Sequence, residues 1–148
     1  MPEKRSPMSR SEMMAGIRPK DTKPEMIVRK GLHGLGFRYR LHSRHLVGKP
    51  DLVLPKYRAA LFVHGCFWHA HNGCSYFRLP KTRTEFWREK LEKNVERDQK
   101  TAQTLTASGW RVLTVWECAT KRLSLEDLIG KIAAWLRGKE VFGEIPNR

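Results

Sequence analysis

Two short apolar runs separated by a long charged stretch constrain this fold more than any other feature of the chain. Residues 59–64 (Ala-Ala-Leu-Phe-Val-His) read as a buried strand, and residues 110–116 (Trp-Arg-Val-Leu-Thr-Val-Trp) as another. Between them, Thr84 to Ser108 is highly charged, with Phe86, Leu91, Val95, Ala102 and Leu105 at the spacing of an inward helical face, and Gly109 stops it. A long helix between two strands predicts a crossover connection. Upstream, Phe37-Arg38-Tyr39-Arg40-Leu41 alternates like a half-buried strand, and residues 51–54 form another that Pro55 closes. Their short connections favour antiparallel neighbours. The expected class is therefore α/β: a mixed central sheet with helices on both faces.

Helix signals complete the outline. Thr22, Pro24 and Glu25 supply a cap, a first-turn proline and an acid three residues after the cap, with Val28, Leu32 and Leu35 on one face and Gly34 and Gly36 at the end. Ser124 caps a last helix that turns Leu125, Leu128, Ile129, Ile132 and Leu136 inward. Ser9 and Glu12 make a capping box for a short helix ahead of an Arg18-Pro19 loop. Residues 1–20 read as a flexible arm, 21–137 as one folded domain and 138–148 as a frayed tail. A chain of 148 residues can bury a core without staples.

Charge sets the partner. Lysine and arginine total 29 against 15 acids, a formal net charge of +14. Nucleic acid ranks first among partners, because each phosphate neutralised releases counterions. A merely solvated basic face and an anionic membrane surface are the other readings. No apolar run approaches the ~20 residues that span a bilayer. No apolar segment follows the first charged residues, so a cytoplasmic protein is expected. Three cysteines suit metal ligation better than a disulfide framework.

The segment from His64 to Cys74 concentrates the chemistry. Cys66-x4-His71-x2-Cys74, with Cys118 just past the last strand, offers three thiolates and an imidazole, a set that would close a tetrahedral zinc site. His69 competes with His71 as the nitrogen ligand, and three unrelated buried cysteines are the plainer alternative. Asp51 stands at a strand start, where a carboxylate can hold magnesium or simply cap the preceding turn. Val63 and His64 end the neighbouring strand, so a backbone carbonyl and an imidazole can reach the same point. A neutral His69 near a phosphodiester could take a proton from water. Glu25 is first a capping carboxylate, with catalytic support as its second reading. Phe67 and Trp68 sit in the loop and can stack on or wedge between bases. Trp87 reads alone as core, and Lys81, Arg83, Arg88, Lys90, Lys93 and Arg97 as a phosphate-contact or solvated surface.

These residues resemble the very-short-patch-repair (Vsr) DNA mismatch endonucleases. The resemblance runs from about Ser9 to Cys118. It includes Met-Ala-Gly-Ile-Arg-Pro-Lys-Asp-Thr-Lys-Pro-Glu at 14–25, Gly-Lys-Pro-Asp-Leu-Val at 48–53 and His-Gly-Cys-Phe-Trp-His at 64–69. It continues through Thr-Arg-Thr-Glu-Phe-Trp at 82–87, Lys-Asn-Val-Glu-Arg-Asp at 93–98 and Gly-Trp-Arg-Val-Leu-Thr-Val-Trp-Glu-Cys at 109–118. It implies a three-layer α/β/α, restriction-endonuclease-like core with a structural zinc. It implies magnesium-dependent nicking 5′ to the thymine of a T:G mismatch, the product of 5-methylcytosine deamination.

By the same resemblance, Asp51 and the Val63 carbonyl hold magnesium, His64 contacts metal or phosphate, and His69 is the general base. Cys66, His71, Cys74 and Cys118 are the zinc set. Phe67, Trp68 and Trp87 are the intercalating wedge, and the N-terminal arm clamps the DNA. Implied partners are mismatched duplex DNA and, downstream, mismatch-repair and DNA polymerase proteins; nothing marks an oligomer interface, so a monomer is expected. Two departures stand out: Val63 replaces the threonine of the family pattern, and one extra residue precedes Cys74. The competing expectation is a non-catalytic, zinc-stabilised protein that binds distorted duplexes. A zinc enzyme working at the cysteine cluster itself ranks third.

Overall fold

The computed structural model describes residues 22–146. The capping box at Ser9 and Glu12, the Arg18-Pro19 loop and the clamping arm lie outside those residues. Helix α1 (Lys23–Gly34) leads into β1 (Arg40–Leu41), β2 (Leu52–Leu54), a 3-10 turn (Pro55–Tyr57) and β3 (Ala59–His64). Then come α2 (Thr84–Ala107), β4 (Arg111–Trp116), α3 (Glu117–Arg122), α4 (Leu125–Arg137) and β5 (Phe142–Ile145). The sheet order is β1-β2-β3-β4-β5. β1, β2 and β3 pair antiparallel, whereas β3–β4 and β4–β5 are parallel. The mixed α/β sheet predicted from the crossover is therefore present.

Strand alternation builds the layers. In β3, Ala59 and Leu61 face a cluster with Val28 and Leu32 of α1, and with Leu128, Ile132 and Leu136 of α4. Their neighbours Ala60 and Phe62 face the opposite side, against Leu105 and Ala102 of α2. β4 repeats the pattern, with Leu113 and Val115 on the first side and Val112 on the second. A period of two with both sets buried is the signature of a strand covered on both faces. The α1–α4 contact is close: a Cβ on Gly31 would stand 2.4 Å from Ile129 Cδ1. Among the described residues, no helix is long and apolar enough to cross a membrane.

Five local expectations change. Only Arg40–Leu41 of the predicted 37–41 strand is extended, while Phe37 packs into the core. Leu35 is the C-cap of α1 and is exposed, and Leu125, at the first turn of α4, is exposed as well. In α2 the inward aromatic is Trp87, which is 4% exposed, rather than Phe86, which is 41% exposed. The chain beyond residue 138 is not frayed throughout: Phe142–Ile145 pairs in parallel with Val112–Val115. A short helix, α3, also follows β4 directly and carries Cys118.

Candidate active site and metal centre

The candidate residues meet at one end of the sheet, where β3 and β4 finish and β2 begins. Asp51 precedes β2, its amide donating to Leu61 O at 3.0 Å. Because β2 runs antiparallel to β3, this puts the Asp51 side chain beside the end of β3, and Val63 N donates to Asp51 Oδ2 at 2.7 Å. The preceding loop lies close against α2. A Cβ at Gly48, whose φ is +76°, would come within 2.2 Å of Thr101 Cγ2, so glycine is needed there for conformation and space alike.

Glu25 corrects its leading sequence reading. Thr22 does cap α1, its hydroxyl accepting from Glu25 N at 3.3 Å. The Glu25 carboxylate, however, points into the site. It is 1% exposed, and its Oε2 accepts from Arg29 at 3.1 Å and lies 2.7 Å from His42 Nε2. Donor atoms of Glu25, His42 and Asp51 lie within 4.8 Å of one another. Burial, and then the Glu25 carboxylate beside it, push the Asp51 acid up to about 7, although the Val63 amide pulls the other way. A buried carboxylate and a half-buried one this close favour a proton or a cation between them.

A second cluster joins His64, His69 and Asp98, with donor atoms again within 4.8 Å. The imidazoles of His64 and His69 stack with centroids 3.7 Å apart. Burial, and then the neighbouring His69, hold His64 well below the usual imidazole range, so it is neutral at pH 7. His69 Nδ1 lies 2.5 Å from Asp98 Oδ2. A carboxylate only accepts, so this bond puts the hydrogen on Nδ1 and leaves the Nε2 lone pair available. Asp98 is a residue that sequence reasoning missed. It lies one helical turn after Asn94 in α2, and Asn94 Nδ2 donates to Trp68 O at 3.0 Å, so one face of α2 holds both the loop backbone and the His69 ring.

The cysteine cluster lies on the far side of Trp116. Cys66, His71, Cys74 and Cys118 are all buried, with donor atoms within 4.8 Å of one another. The loop folds back on itself to bring them there: His71 N donates to Cys66 O at 2.9 Å and Cys74 N to His71 O at 3.2 Å. Cys118 N donates to Cys66 Sγ at 3.4 Å. Of the two histidines left open by spacing, His71 joins the thiols and His69 joins Asp98. Burial pushes the Cys66 thiol up to about 12 and raises Cys118, whereas backbone donation from Tyr76, with Cys118, Cys66 and Arg122 nearby, lowers Cys74 against its desolvation. Without a cation, a buried set of thiolates would be costly. Three sulfurs and one imidazole nitrogen suit a tetrahedral metal ion.

Trp116 separates the two regions. Its indole stacks on His71 at 3.9 Å, meets His64 edge-on at 5.4 Å, and donates to Glu144 Oε1 of β5 at 2.7 Å. Phe67, Trp68 and Trp87 form one aromatic cluster, with centroid separations of 5.6 Å for Phe67–Trp68 and 5.7 Å for Phe67–Trp87. Phe67 and Trp68 are half-buried and Trp87 is buried, so Trp87 supports the other two from within.

The chain is similar to proteins of one family. The family model described as DNA mismatch endonuclease Vsr matches residues 3–75. The Type II nicking enzyme V.XorIIP of Xanthomonas oryzae pv. oryzae is 47% identical over 137 residues, covering 93% of this chain and 96% of that protein. The nicking enzyme V.NmeAIP of Neisseria meningitidis is 48% identical over 116 residues, 78% of this chain and 82% of that protein. DNA mismatch endonuclease Vsr of Escherichia coli K12 is 42% identical over 143 residues, 95% of this chain and 91% of that protein. The chain belongs to the Vsr family of DNA mismatch endonucleases.

Proposed function

We propose that this endonuclease nicks one strand 5′ to the thymine of a T:G mismatch by magnesium-dependent phosphodiester hydrolysis, starting very short patch repair. The observation that carries the reading is that a His69 oriented by Asp98 and an Asp51 carboxylate bonded to Val63 N belong to the same end of the sheet. Asp51 and the Val63 carbonyl are the magnesium ligands in this reading. In a strand, a residue's amide and carbonyl face the same side, so the carbonyl of Val63 faces Asp51 as its amide does. This contact uses backbone and is indifferent to valine at position 63. Magnesium, when bound, supplies charge stabilisation at the phosphate and activates water.

His69 Nε2 takes the proton from the attacking water, and Asp98 holds the ring and stabilises the imidazolium that results. His64, neutral and stacked on His69, contributes a nitrogen toward the phosphate or the metal shell. Zinc is the ion assigned to Cys66, His71, Cys74 and Cys118. With all four positions filled by protein it is structural, and it fixes the loop that carries Phe67, Trp68 and His69. Phe67 and Trp68 are the wedge that unstacks the mismatch, with Trp87 packed against both of them.

The test is strand-resolved cleavage of end-labelled T:G duplexes in varied flanking contexts, with matched T:A controls and with or without magnesium. One magnesium-dependent nick 5′ to the mismatched thymine is the expected result. Equal cutting of T:A duplexes would overturn the mismatch assignment, and mismatch binding without a cut in any context or metal would overturn the catalytic one.

A further inference from the structure

His42 is absent from every role assigned so far, yet it ties three parts of the site together. It follows β1 directly, and its amide donates at 3.0 Å to the carbonyl of Asp51, the residue before β2. Its ring reaches the other way, to α1, where Nε2 lies 2.7 Å from Glu25 Oε2. A carboxylate only accepts, so this nitrogen carries the hydrogen and donates it. Arg29, one turn further along α1, donates to the same oxygen at 3.1 Å. Two donors thus grip one oxygen of a carboxylate that is 1% exposed. The backbone of His42 is left-handed, with φ 47°, a conformation that persists in a non-glycine residue where the surroundings over-determine it.

We infer that His42 is a positioning residue: it fixes the Glu25 carboxylate beside Asp51, so that the two acids are set for magnesium before the ion binds. Donor atoms of Glu25, His42 and Asp51 lie within 4.8 Å of one another. Two carboxylates that close repel, and a glutamate side chain left to itself has several rotamers by which to move away and to lose again on binding an ion. The hydrogen bonds from His42 and Arg29 hold it against that repulsion. Magnesium suits the result, because it is a hard ion usually bound through one or two carboxylates with waters filling the rest of its shell. The His42 nitrogen stays with Glu25 and supplies no ligand, so the side chains offered to the ion are oxygen donors. The arrangement mirrors the neighbouring cluster. There a carboxylate, Asp98, orients an imidazole, and here an imidazole orients a carboxylate.

The inference rests on the reading of Asp51 as a magnesium ligand, and the experiment separates the two. Zinc-loaded full-length protein is titrated with magnesium by calorimetry, and the magnesium concentration for half-maximal nicking of a T:G duplex is measured beside it. The side chain of His42→Asn tolerates left-handed backbone but ends one bond short of Glu25. Magnesium affinity is expected to fall about 10–100-fold, the range for losing the partner behind a metal ligand, and the half-maximal concentration to rise by the same factor. His42→Gln carries an N–H at the reach of the imidazole Nε2, and it should recover most of the loss although glutamine suits that backbone less well. Backbone strain alone would order the two variants the other way. In a Glu25→Ala background, His42→Asn should add nothing further. Unchanged affinity in His42→Asn, glutamine no better than asparagine, or a full-sized effect of His42→Asn in the Glu25→Ala background would overturn the role of His42. Should Asp51→Asn leave magnesium affinity untouched, the cation site at Asp51 itself would fall, and the inference with it.

Discussion

The cysteine cluster and the carboxylate–imidazole face hang from the ends of the same two strands, on either side of Trp116, yet they are opposite in kind. The first draws Cys66, His71 and Cys74 from a single loop and adds Cys118 from α3, all buried. The second gathers Glu25, His42, Asp51, His64, His69 and Asp98 from across the fold, and His69 and Asp98 stay about a quarter exposed, at 27% and 28% of their side chains. A set whose every donor turns inward stabilises a loop. A set that keeps nitrogen and carboxylate oxygen at the surface can meet a substrate. In the proposed reading, one cluster maintains the fold and the other carries the chemistry.

The strongest way to break that contrast is to cross two substitutions. Cys118→Ser is expected to release zinc and abolish cooperative unfolding, because a structural zinc site is worth ~10–16 kcal/mol of binding in small domains, as much as a typical domain's whole stability of ~5–15 kcal/mol. Asp51→Asn should leave zinc content and the melting transition intact while removing nicking to background. Metal analysis, thermal melts and cleavage on the same preparations check both. If Asp51→Asn lost zinc, or if Cys118→Ser stayed folded and nicked normally, the division of labour would collapse.

Within the chemical face, Asp98→Asn tests the orientation of His69. An asparagine keeps the size but no longer demands a hydrogen on Nδ1, so nicking should fall on the order of 10²–10⁴-fold, the range for a mispositioned general base. Duplex affinity should move little. A drop in affinity equal to the drop in nicking would make Asp98 a binding or packing residue.

How much of this the sequence disclosed follows from how local each feature is. Asp51, His64, the three cysteines and a histidine to join them were legible as candidates because strand ends and short cysteine–histidine spacing are local patterns. The choice between His69 and His71 was not, since it depends on the loop folding back so that His71 meets Cys118 while His69 meets α2. Asp98 was hidden because one acid on a helix full of acids and bases carries no signal until the loop packs on it. His42 was hidden for a similar reason, as its partner Glu25 lies 17 residues away. β5 has only four residues, with Gly143 among them, and its pairing with β4 is non-local. Phe86 was placed inward beside Trp87, although adjacent positions differ by ~100° around a helix and only Trp87 is buried.

A smaller effect follows from pH. The Asp51 acid sits at about 7, above its ordinary 3.8. A carboxyl whose folded pKa is raised favours folding most below its unfolded pKa, and that advantage declines as pH rises from about 4 to 7. Cation binding has the opposite slope, since the ligand must be ionised. Divalent-ion affinity should therefore fall up to about tenfold per pH unit below 7 and level off above it, in titrations followed by calorimetry. The cysteine cluster sets a control: zinc content should stay constant over the pH 6–8 range in which the Asp51 site titrates. Cation affinity independent of pH between 5 and 7 would show that Asp51 is not the titrating ligand.

The subtlest prediction concerns what joins the two regions. Trp116 stacks on a cysteine-cluster histidine and abuts the His64–His69 pair, and the polar anchor on its indole is Glu144. Glu144→Ala removes an acceptor for a nearly buried N–H, a loss of roughly 1.5–3 kcal/mol for a hydrogen bond to a charged group. Glu144→Gln keeps a carbonyl oxygen in place and should recover most of it. A loosened indole can shift both faces at once, so Glu144→Ala should speed zinc release to a chelator and lower kcat for nicking by a few-fold, with KM for duplex little changed. Rescue of both readouts by glutamine would make β5 the clamp that keeps the structural and chemical clusters in register. Loss of stability with zinc release and kcat unmoved would mean that the two regions are neighbours without being coupled.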